Sequence, residues 1–117
     1  MTRHDEFVDY LLELMQPLGP VSAKAMFGGY GIYMDDLMFA LVADDVLYFK
    51  TGADNLHDYE AHGLPAFSYV RNGKKYNMSY NEAPAEVMDD AEAMQRWADK
   101  AITAALQARK IVSKHAE

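Results

Sequence analysis

The sequence predicts a single two-layer α+β domain with an antiparallel sheet, its elements running α-β-β-β-α-β-β-α. Three observations predict it. Apolar residues recur at helical spacing near both ends of the chain. Between them lie short β-type runs broken by two-residue polar turns. One of those turns, Asn72-Gly73, separates two alternating runs and indicates a type I′ hairpin. At 117 residues, half of them hydrophobic, the chain suits one domain with a real core.

The first helix is expected from about His4 to Gln16, capped by Thr2, with Asp5 completing a weak capping box. Phe7, Val8, Leu11, Leu12, Leu14, Met15 and Leu18 supply its apolar face, and Pro17, Gly19 and Pro20 stop it. Val21 to Phe27 is mixed in character and reads as a candidate edge strand. A three-stranded meander follows: Tyr30–Met34, a turn at Asp35-Asp36, Leu37–Val42, a turn at Ala43-Asp44-Asp45, and Val46–Lys50. A short helix spans about Asp54 to His62 and ends at Gly63 and Pro65. Phe67–Arg71 and Lys74–Tyr80 flank Asn72-Gly73. The last helix runs from about Ala91 to Arg109, with Asp89 and Asp90 as caps. Met94, Trp97, Ala98, Ala101, Ile102, Ala105 and Leu106 form its stripe, and residues 111–117 are expected to fray. No repeat, low-complexity tract or interdomain linker is visible.

Composition excludes several classes. Without cysteine there is no disulfide framework, thiol nucleophile or cysteine zinc site. No apolar run approaches the roughly 20 residues of a membrane span, and the charged start MTRHDEFVDY does not resemble a signal peptide. A cytoplasmic protein is the resulting expectation. The net charge of −7 weighs against direct nucleic-acid binding. That charge is uneven: residues 1–60 hold three bases, Arg3, Lys24 and Lys50, against eleven acids. Arg96, Lys100, Arg109, Lys110 and Lys114 gather near the end of the last helix, where cations complement the helix dipole.

The turns fix which residues share a face. A two-residue loop at Asn72-Gly73 sets Arg71 opposite Lys74, Tyr69 opposite Tyr76 and Phe67 opposite Met78. Phe67, Tyr69, Tyr76 and Met78 then share a buried side, with Ser68, Asn77 and Ser79 on a wet one. At Asp35-Asp36 both sides are apolar. Tyr30, Ile32, Met34, Leu37, Phe39 and Leu41 lie on one, and Gly31, Tyr33, Met38, Ala40 and Val42 on the other. Val46–Lys50 is likewise apolar on both sides. So greasy a second face requires a cover: a helix of the same chain, a second copy or another protein, or a small-molecule ligand.

No catalytic motif emerges. Gly28-Gly29-Tyr30-Gly31 lacks the dinucleotide-fingerprint spacing and opens a strand, so it reads as close backbone packing or, with Phe27, as a docking corner. Gly73-Lys74-Lys75 is a hairpin flank, not a phosphate loop. His57, Asp58, Glu60 and His62 crowd the short helix. Asp58 and His62, four apart, suit either a helix-face pair or two metal ligands. The acid pairs Asp35-Asp36 and Asp44-Asp45 fall in turns, where Asp is favoured for backbone geometry. Of the eight methionines, Met15, Met78 and Met94 fall on expected core faces, and Met38 falls on the second apolar face.

The run Ala25-Met26-Phe27-Gly28-Gly29-Tyr30-Gly31-Ile32-Tyr33, followed by Met38 to Lys50, resembles the N-terminal domain of the TfoX/Sxy competence regulators. Gly63-Leu64-Pro65-Ala66-Phe67-Ser68-Tyr69 and Met78-Ser79-Tyr80-Asn81-Glu82-Ala83-Pro84 are similar to that domain's second half. The resemblance runs from about Phe7 to Leu106. It implies a compact α+β domain of a bacterial cytoplasmic protein. For the full-length regulators it implies switching on competence genes with a DNA-bound transcription activator. Those regulators carry a C-terminal domain as well, and this chain stops at Glu117, as a stand-alone relative or a fragment would. The family supplies no catalytic motif.

The expectation is therefore a non-enzymatic interaction domain linked to transcription. It would meet a protein partner, or itself as a homodimer, through Phe27, Gly28, Gly29, Tyr30, Tyr33, Met38 and Val42. No cofactor or metal is implied. The alternative is a small-ligand or metal-binding domain, even a minor enzyme, with the histidine helix and Tyr69/Tyr76 lining its pocket.

Overall fold

The structure, a computed structural model, describes residues 3–26 and 28–116, with side chains described from Glu6 to Lys110 apart from Phe27. The capping residues Thr2 and Asp5 therefore lie outside the described side chains. Helix α1 (Arg3–Leu14) passes through a 3₁₀ turn at Gln16–Leu18 into six strands and two further helices. The strands are β1 (Val21–Met26), β2 (Gly29–Met34), β3 (Leu37–Ala43), β4 (Val46–Lys50), β5 (Ala66–Arg71) and β6 (Lys74–Glu82). Helix α2 (Leu56–Ala61) joins β4 to β5. A 3₁₀ turn at Ala85–Met88 precedes α3 (Ala91–Ala116). The α+β class stands, and the candidate edge strand is the added strand β1. The last helix continues to Ala116, beyond the expected end at Arg109.

The sheet is antiparallel in the order β1-β2-β3-β4-β6-β5. Its turns follow from the sequence. Asp44 and Asp45 have φ of 51° and 61°, and Asn72 and Gly73 have 54° and 76°. Both residues of each turn are thus left-handed, matching the twist of a two-residue hairpin. Arg71 pairs with Lys74 and Tyr69 with Tyr76, as the loop length requires. The register then shifts between Ala66 and Ser68, where residues 78–80 of β6 span the place of Phe67 alone.

One core joins the helices to one side of the sheet. Val8, Leu11 and Met15, then Tyr59, then Met94, Ala98 and Ala101 pack with Ile32, Phe39, Ala40, Val42, Leu47 and Phe49. Alanines at 93, 98, 101, 104 and 105 let α3 lie close along β3 and β4, while Leu106, expected in its stripe, is 43% exposed. The Asp90 carboxylate accepts from the Glu92 N–H and caps α3. The Tyr10 hydroxyl donates to the Met88 carbonyl and ties α1 to the turn before α3. The β4–α2 connection is held by buried amides. Asn55 accepts from the Gly52 N–H at 2.7 Å and donates to the Lys50 carbonyl, and Asn81 accepts from Thr51 and donates to the Leu64 carbonyl.

A β-bulge decides which side chains join that core. Ile32 pairs with Ala40 but Tyr33 pairs with Met38, which leaves Phe39 as an additional residue in β3. The one-residue slip turns everything after it over. Ala40 and Val42, expected on the second face, point into the helix-side core, and Leu41 takes the second face instead.

Candidate functional site

No described helix packs over the second face of the sheet. Met26, Tyr33, Met38, Leu41, Tyr48, Phe67 and Tyr80 all stand apart from the helix-side core. The pairings Gly31–Leu41, Leu41–Tyr48 and Tyr48–Glu82 carry this face from β2 through β3 and β4 to β6. Tyr80, beside Lys50, and then Met78 and Tyr76 extend it into the β5–β6 hairpin by strand alternation. Phe67, Tyr69, Tyr76 and Met78 were expected to supply a buried side. They lie instead on the side away from the helices, and Tyr69, Tyr76 and Met78 are exposed. The physical reason is continuity: β6 pairs with β4, so its parity is fixed by Tyr48 and Lys50 and not by its own polarity.

β1 and β5 are opposite edges of the sheet, yet both line one trough of about 580 Å³. The sheet must therefore curl towards a half-barrel, in the sense that sheet twist favours. One wall is Met26, Gly29, Tyr30, Met38 and Leu41, and the other is Phe67, Tyr69, Arg71 and Met78. Gly31 permits the floor to pack: a Cβ there would sit 2.8 Å from the Met26 sulfur and 3.2 Å from the Met38 sulfur. Phe67 meets Tyr48 edge-on at 5.0 Å, and Tyr69 stacks on Tyr76 at 5.5 Å.

The charges on this face differ from those of the chain. Lys24 lies over the Tyr33 ring at 5.0 Å and Lys50 over Tyr80 at 5.3 Å. Two of the three bases in residues 1–60 thus stand on one face. Burial holds the Lys50 ammonium below its usual pKa. Burial, with the Tyr33 phenol adding to it, pushes Tyr80 up to about 12. Burial, then Glu82 and Asp44, raises Tyr48. Glu82, paired with Tyr48, and Asp44 are thus the acids nearest this face.

The sequence-predicted site residues separate into groups. Tyr33 and Met38 pair on the open face. Gly28 takes φ 79° in the β1–β2 turn, and Gly29 and Tyr30 line one end of the trough. Val42 also borders that end, but it is 2% exposed and belongs to the helix-side core. Phe27 lies outside the described residues. Sequence reasoning missed Met26, Leu41 and Arg71 as trough residues, and Lys24 and Lys50 as cations of this face. The signal for the two lysines was their isolation in an acidic half.

The histidine helix lies elsewhere. His62 donates from Nδ1 to the Asp58 carbonyl and packs edge-on against Trp97, while Lys100 hydrogen-bonds the Asp58 carboxylate at 3.1 Å. Lys100 thereby holds that carboxyl below its usual pKa. Among the described residues no three His, Asp or Glu side chains are grouped to hold a metal. Arg109 is tied to Asp36 in the β2–β3 turn. No described helix is long and apolar enough to cross a membrane.

Two curated proteins align with this chain. DNA transformation protein TfoX1 of Aliivibrio fischeri (strain ATCC 700601 / ES114) is 32% identical over 66 residues, covering 56% of this chain and 32% of that protein. Protein Sxy of Escherichia coli (strain K12) is 23% identical over 95 residues, covering 81% of this chain and 46% of that protein. The chain thus spans less than half the length of either relative. The TfoX N-terminal domain family matches residues 13–105, from the end of α1 through the whole sheet and most of α3. A match of that extent, over the elements that build both the core and the open face, places this chain in the TfoX N-terminal domain family.

Proposed function

We propose that this chain is a non-enzymatic docking domain that works in competence-type transcriptional regulation by presenting its open sheet face to a protein partner. The observation that carries this reading is the trough between Met26, Met38 and Leu41 on one wall and Phe67, Tyr69 and Met78 on the other. Aromatic rings and methionines at a partly exposed face are what interfaces use as anchors. A DNA-bound transcription activator is the kind of partner proposed, and the name of one relative, DNA transformation protein TfoX1, supports a competence setting. The test replaces Met38, a half-buried wall residue that the helix-side core does not use. Met38→Asp in the native host is expected to abolish induction of competence genes while the purified variant melts within roughly 5 °C of wild type. Normal induction by the folded variant contradicts the proposal.

A second reading rests on volume. About 580 Å³ lies within the range of small-ligand pockets, and Tyr69 lines it. Native mass spectrometry of the protein purified from its own host decides this reading: a retained small molecule lost in Met38→Asp favours it.

A further inference from the structure

The open face pairs apolar walls with a charge opposite to that of the chain. By strand pairing, Lys24, Lys50, Arg71 and Lys74 share it with Gly31, Tyr80 and Tyr69, while the chain as a whole carries −7. Among the described residues, no carboxylate lies within ion-pair distance of Lys24 or Lys50, whose ammonium groups rest on Tyr33 and Tyr80. Two acids also stand near the face: Glu82 pairs with Tyr48, and Asp44 follows the trough residue Ala43.

Resting on the docking reading above, we infer that the trough takes an acidic polypeptide segment. Its apolar side chains would enter between Met38, Leu41, Phe67 and Met78, with its carboxylates directed to Lys24, Lys50 and Arg71 and away from Glu82. Charge complementarity selects this occupant over a neutral one, because a carboxylate near Lys50 meets an ammonium already partly stripped of water. The lining favours polypeptide over nucleic acid. Thioethers and Leu41 wrap side chains but give no platform for bases, and Tyr69 and Tyr76 stack on each other instead of standing apart.

The test pans a phage-displayed random peptide library against the immobilised full chain, then titrates the enriched peptides in solution. Enriched sequences are expected to interleave Asp or Glu with Leu, Met or aromatic residues. Their affinity is expected to fall with added salt and to drop roughly tenfold or more in Lys24→Glu/Arg71→Glu, a double change at two exposed positions. Neutral or basic consensus peptides that Met38→Asp still abolishes overturn the acidic chemistry and leave the docking face standing. Enrichment that Met38→Asp does not affect, or no enrichment at all, overturns both. Tight binding of oligothymidine that competes with the peptides overturns the choice of polypeptide. Self-association through this face, seen as a dimer that Lys24→Glu/Arg71→Glu dissociates, overturns the choice of a separate segment.

Discussion

Two glycines on either side of Tyr30 illustrate how the open face is built at the residue scale. A Cβ at Gly29 would strike the Val42 carbonyl oxygen, a backbone atom held in the ladder that cannot retreat. A Cβ at Gly31 would press on Met26, Tyr33 and Met38, whose long side chains can move. Gly29→Ala is therefore expected to cost about 2–3 kcal/mol in urea unfolding, and Gly31→Ala less than about 1 kcal/mol while displacing the two thioethers. Tyr80 gives a pH signature. Its phenol is raised from 10.0 to about 12, so above pH 10 the unfolded chain ionises this residue while the folded chain does not. Its contribution to stability is thus present below pH 10 and declines as pH rises from there to about 12. Tyr80→Phe should flatten that alkaline decline, measured by chemical unfolding across the range.

Asn55 and Asn81 matter at the scale of elements, because they set where β4, α2 and β5 meet. Both are nearly fully buried; Asn55 ties the β4–α2 connection to itself at Lys50 and Gly52, and Asn81 links it at Thr51 to Leu64 before β5. Asn55→Ala leaves the Lys50 carbonyl and the Gly52 N–H without their partner and is expected to cost about 1–3 kcal/mol in thermal or urea unfolding. The elements themselves were largely legible in the sequence. Asn72-Gly73 and Asp44-Asp45 carry their turn chemistry in their residue types, and the helices carry their spacing. The bulge at Phe39 was not legible. Residues 37–43, Leu-Met-Phe-Ala-Leu-Val-Ala, are apolar on both sides, so a period of two has no phase to register the slip. Val42 was misplaced for that reason. The hairpin face was misread for a different one: alternation identifies a greasy side but not the side on which the helices lie. That choice is made by the non-local pairing of β6 with β4.

The whole molecule is asymmetric. Its described helices share one side of the sheet, while the other side curls into a trough lined by Arg71, on a face that also carries Lys24 and Lys50 in an acidic protein. The doubly apolar meander was legible, but its cover was not: a helix of the same chain, a protein and a ligand all fitted the sequence. The curl of the sheet was not legible either, since curl arises from the pairing of all six strands. The most direct measurement of the central claim places a photo-crosslinking residue in the native host either at Tyr69, exposed on the trough wall, or at Leu106, similarly exposed on α3. Covalent adducts of higher mass from position 69, lost on adding Met38→Asp and not seen from position 106, are the expected result. Adducts from position 106 alone, or from 69 undiminished by Met38→Asp, contradict a function carried by the open face.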